Sequence, residues 1–255
     1  MNSQLDRLQQ MISGSRKIVF FGGAGVSTES GIPDFRSANG LYRRPYSGAS
    51  QTETYAPEEL LSHTMYRDNP ELFFAFYRSH MLYPQAKPTE AHKKLAEMEQ
   101  TGICRAVVTQ NIDGLHQAAG SQEVYELHGS VHRNHCERCG RQYPMEYVLH
   151  SRGIPRCACG GVVKPSVVLY EEALPEEAVH GALEAITQAD MLIVAGTSLS
   201  VYPASGFVHY FSGAHLVIIN QTPTPLDQEA DLVIQGAVGE TLKQIRLEEI
   251  KKHPS

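Results

Sequence analysis

Four of the five cysteines in this 255-residue chain form one compact set: Cys136, Cys139, Cys157 and Cys159. Cys136-x2-Cys139 and Cys157-x-Cys159 are separated by 17 residues and supply four thiolates, enough for a closed tetrahedral Zn²⁺ site. The second pair is one residue shorter than the common spacing, and Gly160-Gly161 follows it, where the backbone bends freely. Two disulfides or four unrelated thiols are the rival readings, and a reducing compartment favours the metal. With every position filled by protein, such a zinc is structural and has no open site for water activation. Cys104 lacks a local partner, precedes an apolar run and reads as a core residue.

Two further segments carry chemistry. Phe21-Gly22-Gly23-Ala24-Gly25-Val26-Ser27 follows an apolar run, and such a turn lets backbone approach a pyrophosphate with the next helix N-terminus facing the anion. A tight strand-to-helix turn is the plain alternative. The usual dinucleotide pattern adds an acidic residue at the end of a second strand about 20 residues on. Here Glu29-Ser30-Gly31-Ile32-Pro33-Asp34-Phe35-Arg36 follows, so a nicotinamide dehydrogenase fits poorly. Asn111 and Asp113 stand just past another apolar run, at the carboxyl end where open α/β sheets place ligands; a capped turn is the alternative.

The elements that must position these residues follow from apolar patterning. Leu5, Leu8 and Ile12 predict an amphipathic first helix. Runs at 17–21, 106–109, 191–195, 216–219 and 231–234 predict buried strands, with helices at 89–100, 176–188 and 239–251 between them. This alternation predicts an α/β fold, a doubly wound Rossmann-like parallel sheet with a smaller inserted helical and zinc-binding module. The sheet domain takes 1–36, 84–130 and 166–255; the small domain takes 37–83, with helices at 57–66 and 70–83, and 131–165, which is short of strand signals. A hydrophobic fraction of 42%, a charged fraction of 20% and a net charge of −6 suit a globular protein that does not bind nucleic acid. Met1 to Arg16 has no apolar export region, and no run approaches the ~18–20 residues of a membrane span, so the cytoplasm is the expected compartment.

Four stretches, in order along nearly the whole chain, carry a resemblance. Residues Gly23 to Arg36, Thr109-Gln110-Asn111-Ile112-Asp113-Gly114-Leu115-His116, Glu126-Leu127-His128-Gly129, and Gly196-Thr197-Ser198-Leu199 with Val201-Tyr202-Pro203 resemble the signatures of the sirtuins, NAD-dependent protein deacylases. The resemblance implies cleavage of the bond between nicotinamide and ribose, with the acyl oxygen of a modified lysine attacking the ribose to give an alkylimidate. It makes His128 the base toward the ribose hydroxyls, a role that an ordinary histidine pKa of about 6.5 allows at neutral pH. The chain has 12 histidines, and only the motif singles this one out.

By the same resemblance Gly23, Ala24, Gly25, Ser27, Thr28, Gly196, Thr197 and Ser198 contact NAD. Gln110, Asn111 and Asp113 hold the ribose and nicotinamide, Ile112 and Phe35 exclude water around the ring, and Arg36 pairs with a phosphate or steadies the loop. Asn220 takes the adenosine ribose and Val238 the adenine end. Lys164 to Glu172 corresponds to the substrate segment, where an extended acyl-lysine peptide pairs beside Val167, Val168 and Leu169. Relatives that prefer succinyl groups carry Tyr-x-x-Arg on a helix. Here Tyr77 is followed by Arg78, Ser79 and His80, and Arg78 is turned about 200° from that face, so acetyl and other uncharged groups are expected. The expected activity is NAD-dependent protein-lysine deacetylation yielding nicotinamide and O-acetyl-ADP-ribose, by a cytoplasmic monomer with one structural zinc. ADP-ribosyl transfer to protein and a non-catalytic NAD or acyl-lysine binding module are the alternatives.

Overall fold

The structure, a computed structural model, describes residues 3–34, 40–41, 46–47 and 54–249. In chain order its elements are α1 (Ser3–Gly14), β1 (Ile18–Gly22), β2 (Tyr46–Ser47), β3 (Thr54–Tyr55), α2 (Pro57–Leu60), α3 (His63–Asp68), α4 (Pro70–His80), α5 (Glu90–Gln100), β4 (Cys104–Thr109) and α6 (Leu115–Ala119). There follow β5 (Val124–Glu126), β6 (Gly129–Cys136), β7 (Gln142–Tyr143), α7 (Met145–Leu149), β8 (Val163–Val167), α8 (Glu176–Gln188), β9 (Met191–Ala195), β10 (His215–Asn220), β11 (Leu232–Gln235) and α9 (Val238–Leu242).

Six strands make one parallel sheet in the order β11-β10-β9-β1-β4-β5. The chain runs outward from β1 to one edge, returns, and runs outward from β9 to the other, which is doubly wound topology. The two central strands are buried at every position, because helices cover both faces. Successive residues feed opposite cores: Phe20 packs with Leu8, Ile12, Leu95 and Met98 of α1 and α5. Phe21 packs with Ala182 and Ile186 of α8. The winding reverses between β1 and β9, and the crevice beyond their carboxyl ends is where this topology places ligands.

A second core gathers the aromatic residues of α4 with Val131, Met145, Val163, Val167 and Leu169. It lies under a three-stranded antiparallel sheet, β7-β6-β8, in which β8 is a terminal strand. Strands therefore run through the 131–165 stretch read as poor in them. Burial along β6 does not alternate: Gly129, Ser130, Val131, Asn134 and Cys136 are buried while His132 and Arg133 between them are exposed, so no two-residue period shows in the sequence.

Other expectations shift for local reasons. The 57–66 helix is two helices, because Ser62 leaves the first and caps the second, its Oγ accepting from Met65 N at 3.0 Å. The 70–83 helix ends at His80, with Asn69 capping its start through Leu72 N. The 239–251 helix stops at Leu242. There the Arg246 backbone exchanges two hydrogen bonds with the Gln9 side chain, at 2.9 and 3.1 Å, and Leu247–Glu249 forms only a 3-10 turn. Strand β5 has three residues, too few to show a period.

Gly129 is the joint between the two sheets. Its φ is +76°, and a Cβ there would overlap the Ser166 carbonyl oxygen of β8. Gly129→Ala is expected to destabilise the protein by about 2–4 kcal/mol, read as a fall in urea midpoint. A midpoint equal to that of the wild type would show that the joint tolerates a side chain.

Candidate active site

The loops at the carboxyl ends of the central strands surround a cavity of about 450 Å³ that extends into the small module. Its wall includes Gly23, Ala24, Gly25, Ser27 and Thr28 after β1, Gln110, Asn111, Ile112 and Asp113 after β4, and His128 before β6. Val167, Val168 and Leu169, Gly196, Thr197 and Ser198, Asn220 at the end of β10 and Val238 at the start of α9 also line it. Phe35 and Arg36, the remaining two expected cofactor contacts, lie outside the described residues.

The glycine loop differs from expectation in one respect. Two short 3-10 turns, Ala24–Val26 and Thr28–Ser30, replace an α-helical N-terminus. The reason is contact with the turn after β9: Gly25 N donates to Gly196 O at 2.8 Å, and Gly23 N to Ala195 O at 3.2 Å. A Cβ on Gly25 would sit 2.8 Å from Gly196 Cα, so the approach needs glycine.

Ser27 links the loop to the Asn111–Asp113 segment. Its Oγ donates to Asp113 Oδ2 at 2.6 Å and accepts from Asn111 Nδ2 at 3.0 Å. Asp113 Oδ1 accepts from Leu115 N at 2.9 Å, an Asx turn that starts α6. Gln110 Nε2 donates to Thr197 Oγ1 at 3.1 Å, joining the ends of β4 and β9. The capped-turn reading of Asn-Ile-Asp-Gly is thus correct locally, and the same turn presents its polar side chains to the cavity.

His128 Nδ1 lies 2.9 Å from Gln110 O. A carbonyl only accepts, so Nδ1 carries the proton and Nε2 keeps its lone pair. Burial pushes the His128 pKa below its ordinary value, and the bond to Gln110 offsets part of that shift. The ring is therefore a neutral base at neutral pH. His92 and His116, with ring centroids 4.5 Å apart, are buried core residues that do not line the cavity.

Sequence reasoning passed over His132, Val131, Met145 and Leu61, which also line the cavity. His132 Nε2 donates to Asp113 O at 3.0 Å, and its ring lies against Gly114. Its place just past His128 in the same motif-bearing stretch was the available signal. The small-module end is mostly apolar, and among the described lining residues there is no lysine or arginine. Arg78 faces away, its Nη1 donating to Gly153 O at 2.8 Å, while His80 lines the cavity with its ring stacked on Phe76 at 4.6 Å.

A sequence model described as the Sir2 family matches residues 23–203. The chain belongs to the Sir2 family. An NAD-dependent protein deacetylase of Clostridium perfringens is 51% identical over 247 residues, covering 96% of this chain and 99% of that protein. One from Clostridium acetobutylicum is 52% identical, covering 95% and 98%. A Sir2 enzyme solved with a deacetylated peptide and O-acetyl-ADP-ribose superposes with a TM-score of 0.86 at 37% identity, covering 96% and 98%. Another Sir2 structure, bound to an acetylated peptide, gives 0.81 at 35% identity, covering 96% and 98%. No helix among the described residues is long and apolar enough to cross a membrane.

The four cysteine Sγ atoms all lie within 4.8 Å of one another, with Cys136–Cys159 at 3.5 Å and Cys139–Cys157 at 3.6 Å. No disulfide links them. Zn–S bonds of about 2.3 Å in a tetrahedron place sulfurs about 3.8 Å apart, so this donor set fits one structural Zn²⁺, and none of the four cysteines lines the cavity. Purified protein is expected to carry one zinc per chain by elemental analysis. Cys157→Ser should lose the metal and lower the melting temperature; full stability without metal would refute the assignment.

Proposed function

We propose that this chain is an NAD-dependent protein-lysine deacetylase that releases nicotinamide and O-acetyl-ADP-ribose, with His128 as general base. The observation that carries the reading is the single cavity joining the glycine loop, the Asn111–Asp113 turn and an apolar compartment around a base-competent His128. NAD is a co-substrate that supplies the ribosyl acceptor for the acyl oxygen. Gly23, Ala24, Gly25, Thr28, Gly196, Thr197 and Ser198 cradle it, with Asn220 and Val238 at the adenosine end. Asn111 and Asp113, braced through Ser27, orient nicotinamide and ribose, and Gln110 sits beside the ribose. Ile112 and Phe35 exclude water from the cationic centre, and Arg36 pairs with phosphate. His128 Nε2 takes a proton from a ribose hydroxyl while Gln110 O steadies the resulting imidazolium through Nδ1–H.

The acyl-lysine peptide pairs beside Val167, Val168 and Leu169, and its acyl group enters the compartment bounded by Ile112, Val131, Met145 and Tyr77. The partition into 1–36, 84–130 and 166–255 against 37–83 and 131–165 makes the cleft a boundary between cofactor and acyl halves. We read the protein as a cytoplasmic monomer acting on acetyl-lysine proteins or peptides, with neither nucleic acid nor membrane as partner. The net charge of −6 is in keeping with that reading.

Mass spectrometry of an acetyl-lysine peptide incubated with and without NAD tests the reaction. His128→Ala is expected to lower kcat by about 10²-fold or more, with NAD affinity retained. The base must be unprotonated, and burial lowers its pKa, so kcat/KM should fall on the acid side with an inflection below the ordinary histidine value of about 6.5, as His128 protonates. A loss of activity with an inflection above pH 7 would contradict this. With no lysine or arginine among the described residues that line the cavity, the enzyme should favour acetyl-lysine over succinyl-lysine in the same peptide by roughly tenfold or more in kcat/KM. Equal efficiency would sink that specificity.

A further inference from the structure

The peptide edge at Val167–Leu169 is followed by a turn whose two carboxylates have no part in the chemistry above. Glu172 N donates to Leu169 O at 3.0 Å, closing the turn, and Glu171 at its third position has φ +77°, a left-handed conformation uncommon for a non-glycine residue. Both side chains reach back across the small module. Glu171 Oε2 accepts from Thr64 N at 2.9 Å and Thr64 Oγ1 at 2.8 Å, at the start of α3. Glu172 Oε1 meets His63 Nδ1 at 2.9 Å, and Oε2 accepts from Lys164 Nζ at 3.2 Å. The same Oε2 accepts from Leu169 N at 3.0 Å.

The main chain follows the same path. Tyr170 N donates to Leu61 O at 3.0 Å and His63 N to Tyr170 O at 2.9 Å, while Val168 N is held by His128 O at 2.9 Å. Two successive amides of the peptide edge are thus committed inside the protein, one to the carbonyl of the base residue and one to Glu172. Lys164 and Glu172 are largely buried, with side-chain exposures of 13% and 20%. Their pairing is therefore less screened than a surface ion pair. Burial pushes the Glu172 pKa up, but the Leu169 amide, His63 and Lys164 together outweigh it and keep the group below its ordinary value. The carboxylate joins three segments: β8 through Lys164, the start of α3 through His63, and its own turn through Leu169, which lines the cavity.

We propose that Glu172 is a positioning residue for the acyl-peptide, fixing the Val167–Leu169 edge through the Leu169 amide while Glu171 straps the same turn to α3. The proposal rests on the assignment of that edge as the peptide site. It predicts an effect on peptide affinity and none on NAD, because no cofactor contact named above belongs to the turn.

The test uses a fluorescent acetyl-lysine peptide, with anisotropy for peptide Kd and calorimetry for NAD Kd, on the zinc-loaded full chain. Glu172→Ala should raise peptide Kd roughly tenfold and leave NAD Kd within about twofold. Glu172→Gln keeps an oxygen for the Leu169 amide and should recover most of the loss. Because removing one partner of a buried pair can unfold the module, Glu171→Gly serves as a second variant. It suits the left-handed backbone and removes only the strap to Thr64, and it should weaken peptide binding several-fold without lowering the melting temperature. Unchanged peptide Kd in both variants, or equal losses for peptide and NAD, would overturn the proposal. Wild-type protein that binds the peptide but does not deacetylate it would instead overturn the proposed activity, with the variant affinities still deciding the role of Glu172. A wild type that binds no peptide would overturn both.

Discussion

The hydrogen bond from His128 Nδ1 to the Gln110 carbonyl, at 2.9 Å, is the contact on which the site depends. It is an ordinary bond by energy, about 1 kcal/mol net, and its importance is directional. It decides which ring nitrogen carries the proton, and so which one is a base. It also fixes the imidazole to the end of β4, whose Gln110 N in turn donates to Gly22 O at 3.0 Å. The base is thereby referenced to the same strand ends that carry the glycine loop.

The backbone of His128 faces the other way. Its carbonyl accepts from Val168 N, so one residue is held by the end of β4 through its ring and by the segment after β8, the proposed peptide edge, through its main chain. Gly129 makes this possible, since only a residue without a side chain permits β6 to leave the base and pass beside the Ser166 carbonyl. In the proposed reaction, two reactants bound in separate compartments would meet at a residue registered to both. Effective concentration and orientation would come from this shared registration, with the zinc site bracing the module that bears β8.

Much of this was legible in the chain. The buried apolar runs specified the central strands because a parallel sheet covered on both faces leaves no alternation to confuse the reading. The cysteine set was legible because four thiolates at metal spacing have few other uses. The small module was harder: β6 and β8 are half-buried and irregular, and their pairing shifts register between Gly129 and Asn134. The end of α9 depends on Gln9, 237 residues away from Arg246, which no local pattern reveals. In the site, the described residues expected to contact cofactor and peptide converge on one cavity, but their bracing does not show in sequence. Ser27 between Asn111 and Asp113, His132 on the Asp113 carbonyl and Glu172 on His63 are all cross-element contacts.

The most direct check on this account is the tautomer of His128. Nitrogen-15 spectra of histidine-labelled protein, with the His128 resonances assigned by difference against His128→Ala, would report the state of each ring nitrogen at pH 7. The account predicts a neutral ring protonated at Nδ1, with Nε2 bare and a titration midpoint below 6.5. A ring protonated at Nε2, or a doubly protonated imidazolium at neutral pH, would contradict it, because neither presents a base to the cavity.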